Sequence, residues 1–161
     1  MRSVAISPIQ PSHHAAILRN NAQFVHWLSP LDDMALSALL GHADYAQQLY
    51  AGEAALIAYD GNGPYRHKNV DWLSARLENY IYIDRVVIGA SAQGQGAGRA
   101  LYADLETTAR ARGHTHVACE VNTQPDNPGS HAFHRALGFD PIGDVERPNS
   151  VSVRYYVRKL P

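Results

Sequence analysis

Cysteine is almost missing from this chain. Cys119 is the only one in 161 residues, so no intrachain disulfide can form and a reducing compartment is expected. No stretch approaches the roughly 18 consecutive apolar residues of a membrane span, so no membrane partner is expected. The opening residues, Met1-Arg2-Ser3-Val4-Ala5-Ile6-Ser7-Pro8, lack the apolar run of a signal peptide, and the cytoplasm is the expected location. Neither sign of charge is in surplus: Lys and Arg number 14, Asp and Glu 15, for a net charge of -1. A protein that neutralises a phosphate backbone carries a basic excess, so nucleic acid is not expected as a partner. What is there is 45% hydrophobic and 18% charged, the composition of a globular protein, and the length suits one domain spanning 1–161.

Turn residues and hydrophobic spacing divide the chain into alternating elements. Ser3 to Ile9 reads as a short strand, and Ser12 as the N-cap of a helix running towards Trp27. Asp32 or Asp33 caps a second helix through Leu36, Leu39 and Leu40, with helix expected to continue from Ala43 to Tyr50. Ala54 to Tyr59 has the length of a buried strand, Asp60-Gly61-Asn62-Gly63-Pro64 is a turn, and Trp72, Leu73 and Leu77 suggest a short helix. Tyr80 to Ile88 is rich in β-branched and aromatic residues and reads as a strand. A glycine-rich segment from Gly89 to Gly98 leads into a helix, Arg99 to Arg112, with Gly113 where a C-cap belongs. His116 to Val121 is a further strand. Asn127 and Pro128 start a short helix ending at Leu137-Gly138, and Val151 to Arg158 alternates as a half-buried strand should. The class is mixed α/β.

The segment Gln93-Gly94-Gln95-Gly96-Ala97-Gly98-Arg99 lies between a strand and a helix. Three glycines let a ligand approach the backbone, and the first helical N–H groups have no partner within the helix. Such a place suits phosphate groups. A Walker A loop needs Gly-Lys-Ser/Thr at its end, and here Gly98-Arg99-Ala100 stands instead, which disfavours a nucleotide triphosphatase. A Rossmann fingerprint needs a sixth Gly or Ala. From Gly94 the sixth residue is Arg99, and from Gly96 it is Leu101, although Glu120 ends the next strand at a suitable distance for a ribose.

Gln93-x-x-Gly96-x-Gly98 matches the Gln/Arg-x-x-Gly-x-Gly/Ala signature of the GCN5-related N-acetyltransferases, the GNAT superfamily. Asn127-x-x-Ser130 through Leu137-Gly138-Phe139 resembles that family's second motif. The resemblance covers roughly residues 80 to 160, with residues 1 to 79 similar only in the order of elements. Tyr82-Ile83-Asp84-Arg85 and Ser130-x-x-Phe133-His134 are similar to an uncharacterised bacterial branch. The resemblance implies a mixed, splayed central β-sheet flanked by helices, the acyl-CoA N-acyltransferase fold, with acetyl-CoA as co-substrate. It implies that Gln93, Gly94, Gln95, Gly96, Ala97, Gly98 and Arg99 hold the pyrophosphate. It also implies that Val86, Val87 and Ile88 offer backbone groups to the pantetheine arm, and that Asn127 and Ser130 lie on the cofactor side.

Acetyl transfer to an amine needs a base, a donor to the thioester oxygen and a proton for the departing thiolate. No covalent intermediate is required, and Cys119 is expected as a buried small residue. In relatives that acetylate ribosomal protein N-termini, a glutamate corresponds to Glu120, although the loop to Asn127 is longer here by two residues. Asp84 is the second candidate base. Tyr82 shares its strand face and stands where the histone-acetylating branch carries its glutamate. The thiolate donor of many relatives is a tyrosine at the position of His134. Asn127, Ser130 and His134 form one polar stripe, opposite an apolar face of Ala132, Phe133, Ala136 and Leu137.

The nine histidines include His13-His14, His114 with His116, and His131 with His134, but no complete zinc-like ligand set stands among them, so no metal is expected. Trp27, Tyr65, Trp72 and Tyr80 are candidate acceptor walls, with core packing the plainer reading for the tryptophans. The expected activity is acetyl-CoA-dependent N-acetyl transfer to a primary amine, small molecule or peptide, by direct attack in a ternary complex, and a homodimer is allowed. Two alternatives stay open: a coenzyme A-binding module without turnover, and a dinucleotide-binding domain.

Overall fold

The computed structural model describes residues 5–161. Its elements in chain order are β1 (Ser7–Pro8), a 3-10 turn (Pro11–His13), α1 (His14–Gln23), α2 (Asp33–His42), β2 (Tyr45–Leu49), β3 (Ala54–Asp60), α3 (Lys68–Ser74), β4 (Tyr80–Ile88), a second 3-10 turn (Ala90–Ala92), α4 (Ala97–Ala111), β5 (His116–Gln124), α5 (Pro128–Ala136), β6 (Asp140–Val145) and β7 (Ser152–Lys159). The strands form a splayed seven-stranded sheet of order β1-β2-β3-β4-β5-β7-β6, flanked by helices. The described residues fall into two compact units, one of 5–59 with 83–107 and one of 60–82 with 108–161, and β4 and α4 each run from one into the other.

In the first unit β2 pairs antiparallel with both β1 and β3, from Tyr45↔Ala58 to Leu49↔Ala54 on the β3 side. The helix expected over 43–50 is therefore a strand. Its residues have no β-branched side chain, but Tyr45 and Leu49 are buried and the Tyr45 phenol donates to Asp104 Oδ2 at 2.7 Å. Long-range burial overrides local propensity at such a place. Of the expected strand from Ser3, only Ser7–Pro8 is a strand, and Ser3 and Val4 lie outside the described residues. Ser12 is not a cap. It sits inside the 3-10 turn that opens α1, where Gln10 is the N-cap and the Gln10 N–H donates to His13 Nδ1 at 3.0 Å. Asp32 does cap α2, accepting from the Ala35 N–H at 2.8 Å. Ala97, Leu101 and Leu105, four residues apart along α4, are buried, as are Ile17, Leu36, Leu56 and Tyr59 of the same unit.

In the second unit β5 runs parallel to β4 over Tyr80↔His116, Ile81↔Val117 and Tyr82↔Ala118, and antiparallel to β7 from His116↔Lys159 to Gln124↔Ser152. The strand β6 was not expected. Pro141 and Gly143 make Asp140–Val145 a poor strand former, and it survives because it is the edge, where proline is tolerated and its pairing with β7 shifts register between those two residues. The β7 alternation holds only in part: Val153 and Tyr155 are buried, but so is Tyr156, because both faces of the strand are covered. Gly113 and Gly138 take positive φ after α4 and α5, as C-capping requires.

Candidate active site

In the first unit, β4 ends at Ile88 and the chain turns through Ala90–Ala92 into the glycine loop. Gly94 and Gly96 have φ of +74° and +77°, a region that L side chains rarely adopt. A Cβ added at either would meet nothing within 4 Å, so backbone conformation, and not crowding, requires glycine there. Two glutamines hold the turn: Gln93 Nε2 donates to the Ile88 carbonyl at 3.3 Å and Gln95 Nε2 to that of Ser91 at 2.7 Å. The helix starts at Ala97, two residues before the expected Arg99, which places Gly98 within its first turn. Its first i to i−4 bond runs from Ala100 N to Gly96 O at 3.0 Å, so the N–H groups of Ala97, Gly98 and Arg99 precede the ladder and point with the positive end of the helix dipole. Gln93, Gly94, Gln95, Gly96 and Arg99 are exposed around this N-terminus. Val87 is buried, with Val86 and Ile88 half-buried.

Asp84, on the same strand, is half-buried and its charge helps burial to push the Tyr59 phenol well above its ordinary pKa. The next residue along β4 is Arg85. Its guanidinium donates to Asn21 Oδ1 at 2.7 Å, to the Ser29 carbonyl at 2.9 Å and to Ser29 Oγ at 2.6 Å, which ties the segment after α1 to β4.

In the second unit Glu120 and Cys119 point to opposite faces of β5. Cys119 is buried and its thiol is raised well above the ordinary range, first by burial and then by the Glu120 charge, so it is a packed residue and no nucleophile. The half-buried Glu120 carboxylate accepts from the Tyr82 phenol at both oxygens, at 3.0 and 2.8 Å. A carboxylate can only accept hydrogen bonds, so a phenol donor fixes its orientation while suiting the ionised form that a base presents. The structure thus brings together Tyr82 and Glu120 across the β4–β5 pair.

The helix α5 is turned about its axis relative to expectation. Asn127 caps it, accepting from the Ser130 N–H at 3.4 Å. The stripe that reads as polar is the inward one: His131 and His134 are buried, whereas Ala132 and Ala136 are exposed. His131 Nδ1 meets the Tyr156 phenol at 2.7 Å, and its Nε2 lies 3.0 Å from the Asn122 carbonyl. His134 stacks on Tyr156 with centroids 5.9 Å apart and stands edge-on to Phe133 and Phe139. Its Nδ1 lies 2.7 Å from the Ser130 carbonyl, which can only accept, so Nδ1 carries the proton and Nε2 of the neutral ring is an acceptor. Burial holds the imidazole below its ordinary pKa, with the Ser130 bond opposing and His131 adding to the shift. His134 therefore does not lie on a solvated face.

Tyr80 is no acceptor wall: it is fully buried, and its phenol bonds Ser74 Oγ and the Val70 carbonyl. Trp72 stacks on Tyr155 at 4.0 Å and 8°. Trp27 is 36% exposed. Sequence reasoning missed the Tyr155 cluster. Its Tyr155↔Glu120 register was readable only after β5 and β7 were known to pair.

Residues 26–139, most of the chain, match the model of the acetyltransferase (GNAT) family. No curated protein sequence matches. Among solved structures, Ard1 from Thermoplasma volcanium superposes with a TM-score of 0.76 at 13% identity, over 98% of each chain. The ribosomal-protein-S18-alanine N-acetyltransferase from Escherichia coli gives 0.70 at 16% identity, over 98% of this chain and 94% of that one. The yncA protein from Salmonella typhimurium, solved with its cofactor acetyl-CoA, gives 0.69 at 17% identity, over 99% of this chain and 95% of that one. At these identities the likeness is one of fold, and it agrees with the family match: the chain belongs to the GNAT family of acetyltransferases.

Proposed function

We propose that the chain transfers an acetyl group from acetyl-CoA to a primary amine by direct attack in a ternary complex. The loop from Gln93 to Arg99 carries the reading: its left-handed Gly94 and Gly96 leave open space before the N-terminus of α4, which fits a pyrophosphate. Gln93 shapes that loop, the backbone of Val86, Val87 and Ile88 offers hydrogen bonds to the pantetheine arm, and Asn127 and Ser130 line the cofactor side. Acetyl-CoA serves as co-substrate, and no metal is required. Glu120, held by Tyr82, takes the proton of the amine as its nitrogen attacks the thioester carbon, and the carbon–sulfur bond then breaks. Asp84 is the alternative base. His134 can protonate the departing sulfur from Nε2 only as imidazolium, because its neutral tautomer carries the proton on Nδ1. The reading keeps 1–161 as one N-acetyltransferase domain, acting in the cytoplasm on a small-molecule or peptide amine, with neither nucleic acid nor membrane as partner and a homodimer as an allowed assembly.

Thermal denaturation with acetyl-CoA tests it. A ligand at about 100 times its Kd adds about 2.7 kcal/mol to stability, or roughly 5–10 °C in a protein of this size. Gly96→Asp should abolish the shift, by strain at positive φ and repulsion of pyrophosphate. Gly113→Ala, equally strained at φ +86° but at the other end of α4, should keep it. A shift with NADH and none with acetyl-CoA would overturn the reading. Protection by acetyl-CoA without thiol release against any amine would reduce the protein to a coenzyme A-binding module.

A further inference from the structure

The face of β5 that carries Glu120 also carries an aromatic and cationic group that base catalysis does not use. Tyr155 is the register partner of Glu120, so their side chains leave the sheet on the same side. The Tyr155 phenol donates to Asn69 Oδ1 at 2.6 Å and accepts from Arg147 Nη2 at 3.2 Å. Trp72 covers the Tyr155 ring, and the Arg76 guanidinium carbon lies 3.6 Å from the centroid of the Trp72 ring. Room for this stack comes from Gly143, where an added Cβ would lie 2.8 Å from Trp72.

Both guanidiniums are held by backbone carbonyls. Arg76 Nη1 donates to the Trp72 carbonyl at 2.7 Å, and Arg147 Nη1 to that of Val151 at 3.5 Å. Two carboxylates of the neighbouring elements are committed elsewhere, Asp71 to Arg66 at 2.5 Å and Asp144 to Arg154 at 2.7 Å. Among the described residues no carboxylate forms an ion pair with Arg76 or Arg147. A third cation, Lys68, reaches Ser150 Oγ at 3.4 Å, on the segment that follows Arg147. The electrostatics of the Tyr155 phenol register Arg147, Glu120 and Arg76 together, so one negative and two positive groups share one locale. Guanidinium forks without a carboxylate partner, held by hydrogen bonds and stacking, match a planar anion.

We infer that the acceptor is an amine that also bears a carboxylate, the amine facing Glu120 and the carboxylate received by Arg147 with Arg76 beside it. This rests on the acetyl-transfer reading for the role of Glu120. A free aminocarboxylate has both groups. A lysine side chain within a protein has no carboxylate tied to its amine and fits less well.

Two measurements test the inference. Trp27→Phe leaves Trp72 as the single tryptophan, and its emission reports occupancy of the stack without any turnover. Titration with glycine, β-alanine, γ-aminobutyrate and glutamate should give a saturable change for at least one acid, and none for its methyl ester. In thiol-release assays the preferred acid should exceed its ester in kcat/KM by about 10-fold to 100-fold, the worth of hydrogen bonds to a charged group. Arg147→Met should bring that ratio near one through KM, and Arg147→Lys should restore part of it. Turnover that is indifferent to the carboxylate, or a ratio unchanged in Arg147→Met, overturns the inference and leaves acetyl transfer standing. Saturable binding of the acids with no product from any amine supports the anion site and overturns the transfer reading.

Discussion

His134 offers the sharpest physical test, because its burial and its tautomer make separate demands. The ring is 4% exposed, and burial holds its pKa below the unfolded value of about 6.5. As pH falls from neutral, the unfolded chain therefore takes up this proton first. Stability attributable to His134 is complete above pH 6.5 and is lost as pH drops from there to the folded-state pKa, with a slope of at most about 1.4 kcal/mol per pH unit for one proton. His131 faces the same ring from the preceding turn of α5 and adds to the shift, so it stays in place in the comparison. His134→Phe keeps an aromatic ring among Tyr156, Phe133 and Phe139 and removes the titration. Urea unfolding of both proteins from pH 5 to pH 8 should give a shallower dependence in the variant, with the difference confined below pH 6.5. The same argument governs activity. With the Nδ1 proton committed to the Ser130 carbonyl, only the imidazolium can give a proton to a departing thiolate from Nε2. His134→Phe should then lower kcat at pH 6 and leave it unchanged at pH 8. His134→Tyr, whose phenol stays protonated to about pH 10, should raise kcat at pH 8. Parallel stability profiles in the wild type and His134→Phe would refute the buried, proton-poor ring. An equal loss of kcat at both pH values would refute the tautomer argument.

Two other expectations concern the base and the fold. Glu120→Gln should lower kcat by about 100-fold or more with acetyl-CoA protection intact, while Asp84→Asn should change kcat far less; a reversed order in steady-state kinetics exchanges their roles. Tyr45→Phe removes a buried phenol that donates to Asp104, and should reduce unfolding free energy by about 1.5 kcal/mol with an unchanged m value, the lower end for a hydrogen bond to a charged group because Asp104 is half-buried. A shift within experimental error would mean that water replaces the bond.

The strand, glycine loop and helix from Tyr80 to Ala111 were legible because each rests on local chemistry. β-branched and aromatic residues favour the strand, left-handed glycines the turn and fourfold spacing the helix. Elements made by distant partners were not legible. Tyr45 and Leu49 form a strand because of what they bury against, and Asp140–Val145 forms one because Pro141 occupies an edge. The error at α5 is instructive. Histidine counts as polar in any periodicity, yet His131 meets the Tyr156 phenol and the Asn122 carbonyl with its two ring nitrogens, and His134 meets the Ser130 carbonyl with Nδ1. A polar side chain with such partners buries without a large penalty, and the face of the helix reverses. The pairing of Glu120 with Tyr82 and the stack of Trp72 on Tyr155 both depend on strand register, which one sequence does not print.

Register also sorts the chemistry of the second unit. Adjacent residues of β5 point to opposite faces, and β7 answers each with its own partner: Glu120 with Tyr155, and Cys119 with Tyr156. On the Glu120 side stand Tyr82, Trp72, Asn69 and the cation Arg147, a setting that accepts charge. On the Cys119 side stand Tyr156, His131 and His134, where burial disfavours charge on both the thiol and the His134 ring. One strand pair thus separates a carboxylate set among phenolic and cationic donors from a face where burial resists charge of either sign.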